Sequence, residues 1–174
     1  MSSYWKKPLL QMADRLRIQR TKEKLTERQL AQVERDIFIG FYSVRKLIET
    51  ITKVTDSAKS MKVNLDWYPN IKKVTWRNNH KLDELYDFNR PKSETRDIRF
   101  VCGRIIHSFI FTPCLDESGL CGVLFTSDLD KDNRLYLLKT EETINVYERF
   151  GNDDVTEIHW HRDPKTGKEE TRAN

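Results

Sequence analysis

From Leu30 onward the apolar residues recur in steps of three and four. Leu30, Val33, Ile37, Phe41, Val44, Ile48 and Ile51 all fall on one stripe of an α-helix. Phe38, Tyr42, Leu47 and Val54 widen the stripe, so the helix is expected to be covered on more than one side. Thr26 and Gln29 supply both halves of a capping box and set its start. Carried through to Thr55 it would be about 45 Å long, against about 40 Å for a compact domain of this size. Either it bends at Gly40, or one end projects and packs on a second copy.

Upstream, Leu9, Met12, Ala13 and Leu16 repeat the helical spacing behind Pro8, whose missing N–H suits a first turn; this predicts a helix over residues 8–23. Residues 57–96 read as a mixed connection. They hold expected strands at 63–67 and 72–77, a short helix over 81–88 and an exposed link at 89–95, with Trp67, Tyr68 and Trp76 as anchors. Five β-rich runs follow, at 98–112, 122–127, 134–139, 143–150 and 155–161, parted by the turn residues of 116–119, 128–133 and 151–154. Connections this short force antiparallel neighbours. The last twelve residues, 163–174, offer only Ala173 as an apolar side chain and read as a disordered tail.

The fold class expected is therefore α+β, one domain over residues 1–162. Its helical part spans 1–56, its mixed connection 57–96, and its sheet, a curved antiparallel meander of about five to six strands against the long helix, 97–162.

A chain of 174 residues supports one core. The longest uncharged apolar run, Ile105 to Cys114, is far short of the roughly 20 residues that cross a membrane, and Met1 to Leu10 lacks a secretory pattern. Three cysteines make no disulfide framework, so a cytoplasmic protein is expected. Charge is uneven: residues 1–28 hold eight basic and three acidic side chains. Arg15, Arg17, Arg20 and Lys24 are thus a candidate partner surface, for an acidic protein or for nucleic acid. Nucleic acid is disfavoured, because acids interrupt the run and no aromatic residue is interleaved for base stacking.

Chemistry-bearing residues are sparse. Glu157, His159 and His161 alternate along an expected strand and so share one face, a candidate metal set of two imidazoles and a carboxylate. His107 lies in the most apolar run with Arg104 nearby, a candidate pocket pair. Cys114 and Cys121 flank a turn symmetrically, so hairpin pairing would set their sulfurs opposite each other. Asp128, Asp130 and Asp132 open like a calcium loop, but Asn133 stands where glycine is required and Lys139 where the bidentate glutamate belongs. No glycine-rich phosphate loop or nucleophile motif is present, and no cofactor is expected. The leading expectation is a non-catalytic binding or protein-interaction module that can self-associate as a homodimer. The alternatives are a small enzyme or ligand-binding protein with a pocket between helix and sheet, and nucleic-acid binding through the basic first helix.

Overall fold

The computed structural model describes residues 3–174. Helix α1 (Ser3–Arg20) starts five residues ahead of the expected Pro8, which sits inside it. Its stripe of Leu9, Met12, Ala13 and Leu16 is buried as the spacing requires. Helix α2 (Glu27–Glu49) begins at the expected capping box: Thr26 Oγ1 accepts from Gln29 N, and Gln29 Oε1 accepts from Thr26 N. It stops at Thr50, well before Thr55. Ile51 is left exposed, and Val54 returns to the core only after a turn through Thr52 at φ 67°. At 23 residues α2 is about 35 Å long, which a domain of this size contains. Neither a bend at Gly40 nor a projecting end is needed. The one-turn helix α3 (Asp56–Lys59) follows, capped by Thr55.

Five strands form the main sheet: β1 (Lys62–Pro69), β2 (Lys92–Asp97), β3 (Ser108–Asp116), β4 (Gly119–Ser127) and β5 (Arg134–Lys139). Their order is β2-β1-β5-β4-β3, and every neighbouring pair is antiparallel. The last three make a meander, while β1 closes on β5 from an earlier part of the chain. Alternation along the strands divides the side chains between two faces. Val63, Leu65, Val123, Phe125, Tyr136 and Leu138 join the helices in the main core. Leu124 and Leu135 face the other way and meet Val74, Leu85 and Tyr86.

That second cover is the excursion over residues 70–91, which replaces the strand expected at 72–77 and contains only the one-turn helix α4 (Leu82–Leu85). Tyr86 pins it to the turn between β4 and β5 by donating its hydroxyl to Lys131 O at 2.7 Å, and Asn70 N donates to Asn133 O of the same turn at 2.9 Å. Trp67 and Tyr68 are half-buried, but Trp76 is 73% exposed and anchors nothing. The link expected at 89–95 is largely strand β2, held by pairing with β1 rather than by apolar residues of its own.

Of the expected strands, 143–150 is a helix throughout and 98–112 is a helix over its first nine residues before it becomes β3. Residues 98–106 form α5 (Ile98–Ile106), capped by the Asp97 carboxylate accepting from Phe100 N at 2.8 Å, and 140–151 form α6 (Thr140–Gly151). Ile98, Val101, Cys102 and Ile105 bury at helical spacing, as do Thr140, Thr143, Ile144 and Tyr147. The tail is also ordered. Strand β6 (Ile158–Arg162) pairs with β7 (Glu169–Ala173) as a separate two-stranded ribbon. Ala173 is buried, and its N–H donates to the Asp56 carboxylate at 3.3 Å. The protein is thus α+β, with helices on one face of an open antiparallel sheet.

Candidate functional site

The layer between helices and sheet is filled by Phe41, Phe125, Tyr136, Tyr147 and Phe150, all essentially fully buried. His107 is not in that layer. It caps the C-terminal end of α5 and faces solvent. Arg104 is half-buried, its guanidinium 4.8 Å above the Phe100 ring. Its Nε approaches Asp130 Oδ2 at 2.5 Å as an ion pair, without the angle of a hydrogen bond.

Glu157, His159 and His161 lie at or on the ribbon. His159 Nε2 is 3.1 Å from Glu157 Oε2, and both side chains are over half exposed. His159 stands opposite Arg172 and His161 opposite Glu170 in the ribbon register. Among the described residues no three His, Cys, Asp or Glu side chains are grouped so as to hold a metal ion.

The arginines of α1 are engaged inside the fold. Arg15 grips Asp36 of α2 through two bonds of 2.8 Å, and that carboxylate raises the Arg15 pKa above its ordinary value. Arg17 pairs with Asp14 and with Glu148 of α6, and Arg20 with Glu141 of α6. These three side chains bind the helices to one another, while Lys24 lies exposed beyond the end of α1.

The two turn cysteines are not a register pair, yet their thiols lie side by side. A β-bulge sets Cys114 opposite Gly122 and Leu115 opposite Leu120, which leaves Cys121 without a cross-strand partner. Both are free thiols. Burial, with the Cys114 thiol alongside, pushes Cys121 up to about 12. The aspartates of 128–132 disperse: Asp128 pairs with Lys131, Asp130 meets Arg104, and Asp132 accepts from Val74 N at 2.8 Å.

What the sequence left unmarked is the edge of the sheet. Strand order places β2 and β3 at the two edges. Strand β2 is guarded by Lys92, Glu94, Arg96 and Asp97, and the Glu94 carboxylate is held at 2.6 Å by Arg96 and at 2.9 Å by Arg134. Charges of this kind deter edge-to-edge pairing. Strand β3 has none from Ser108 to Leu115, and its single guard is Pro113. Phe111 packs against Phe38 of α2 with ring centroids 4.5 Å apart and planes tilted by 42°, and Tyr42, one turn further along α2, is 45% exposed. A cleft of about 330 Å³ runs beside the strand, between Phe109–Thr112 and Asn79, His80 and Leu82 of the excursion. An open backbone edge with apolar flanks can receive an extended chain by strand addition.

No helix is long and apolar enough to cross a membrane among the described residues. No protein-family model matches the chain, and neither a curated protein nor a solved structure is significantly similar to it.

Proposed function

We propose that this chain is a non-catalytic protein-interaction module that takes an extended segment of a partner protein along the edge of β3. The observation that carries the reading is the contrast between the two edges: β2 is charged along its length, and β3 is uncharged over eight residues with an aromatic flank and a cleft beside it. Main-chain bonds to the open edge give such a contact its affinity, and side-chain pockets on alternate positions give it selectivity. The separation of His107 from the ribbon histidines, and the use of the α1 arginines within the fold, support binding over catalysis and over nucleic-acid contact. Three free thiols suit a reducing compartment, the cytoplasm.

The test is selection of binders from a displayed library of unstructured peptides. Selected peptides are expected to protect backbone amides of residues 109–112 from hydrogen exchange. They are expected to lose binding to Thr112→Lys, which puts a charge in the middle of the edge. Peptides that protect any other surface, or a selection that yields none, would refute the reading.

A further inference from the structure

We infer that the segment fitting this edge is β3 of a second copy, paired antiparallel about a two-fold axis near the middle of the strand; this rests on reading β3 as an interaction edge. A strand laid antiparallel against its own copy is isologous without further adjustment, because each residue meets the same set of groups from either side. Charge selects this orientation. The start of β3 carries the exposed His107 just ahead of Ser108, Arg104 being held by Asp130, and its end is acidic, with Asp116 and the exposed Glu117.

Antiparallel pairing brings His107 of one copy to the acidic end of the other and keeps the two acidic ends apart. Parallel pairing would set like against like. Thr112 then lies near the axis, and threonine facing threonine is among the favourable cross-strand pairs. The flanks continue across the axis: the Phe38–Phe111 pair and Tyr42 of each copy border the joined edge on the helical side, and Leu82 and Phe109 border it on the other. Pro113 removes one donor per copy, so the joined ladder is short and the dimer is reversible, with a dissociation constant in the micromolar range for a contact below standard size. The helix α2 takes no projecting role in this assembly.

Sedimentation velocity over a concentration series tests it on the full chain. The wild type is expected to shift from monomer to dimer, and Thr112→Lys to stay monomeric with an unchanged circular dichroism spectrum. Two substitutions at exposed positions guard against a folding artefact: Glu117→Lys and His107→Glu are each expected to weaken the dimer about threefold, and together to restore it. A dimer that survives Thr112→Lys, or charge reversals that fail to compensate, overturns self-pairing. A wild type that stays monomeric throughout overturns it too, and if its β3 edge still captures selected peptides, the interaction module stands with a different partner.

Discussion

The ring of Tyr147 occupies the space that a side chain at Gly40 would need. A Cβ built at Gly40 would lie 2.1 Å from the Tyr147 hydroxyl, and that hydroxyl donates to the carbonyls of Asp36 and Ile37 at 3.0 and 3.1 Å. Helix α6 therefore docks on α2 through a glycine that propensity alone would disfavour. Gly40→Ala is expected to destabilise the fold by about 1–3 kcal/mol through overpacking, although alanine is the better helix former. In a Tyr147→Ala background the same change should cost little. Urea denaturation of the four chains reads the coupling, and additive effects would contradict the contact.

The cysteines make stability sensitive to alkali. Burial holds the Cys102 thiol at about 12, against 9.0 for an unperturbed thiol, and Cys121 is raised similarly. Above pH 9 the unfolded chain loses these protons first, so the folded state is fully favoured below that pH and loses ground as pH climbs toward 12. Tyr86 and Tyr147, both raised by burial above 10.0, act in the same direction. Thermal melts at increasing pH should therefore fall beyond pH 9 by up to about 1.4 kcal/mol per pH unit for Cys102. Cys102→Ala is expected to flatten part of that decline. Labelling of native protein with a thiol reagent at neutral pH should leave Cys102 unmodified.

Removal of residues 163–174 distinguishes an ordered C-terminus from the tail its composition suggests. Strand β7 pairs with β6 over five residues, and Asn174 exchanges backbone bonds with Glu157. Truncation after Arg162 should strand β6, expose the surface beneath Ala173, and lower the melting temperature by about 2–4 °C for each kcal/mol lost. An unchanged melt would show that the ribbon contributes nothing to the fold.

Helix α2 was readable because its start carries a local signal, the Thr26–Gln29 box, and its stripe a strict period. Residues 98–106 and 143–150 read as strands from their β-branched and aromatic side chains, Ile, Val and Phe making five of nine residues in α5, and Ile144, Val146, Tyr147 and Phe150 falling close together in α6. The better signal was already in the spacing of Ile98, Val101, Cys102 and Ile105, and in Asp97 three residues before Phe100. Strand β2 has no apolar residue to reveal it, and its conformation comes from β1, about thirty residues earlier in the chain. The exposed edge of β3 had no local signature at all: apolar composition announced a buried strand, and only the strand order, a non-local property, leaves one side of it without a partner. The spacing of Cys114 and Cys121 anticipates their adjacent thiols but not their register, since one bulged residue changes which backbone groups meet.

The buried Lys6 ammonium donates to the carbonyl of Asp153 at 2.6 Å, closing a loop of 147 residues. Asp153 in turn accepts from the backbone and hydroxyl of Thr55, and Ala173 settles beside Asp56. Helix α1 is thus sealed by a segment made 147 residues after it, and at about 5–20 residues per second the wait is roughly 7–30 s. During that interval the apolar stripe of α1 lacks the cover that α6 gives it. A pause in translation anywhere between Lys6 and Asp153 would therefore lengthen the time for which the apolar stripe of α1 stands incompletely covered.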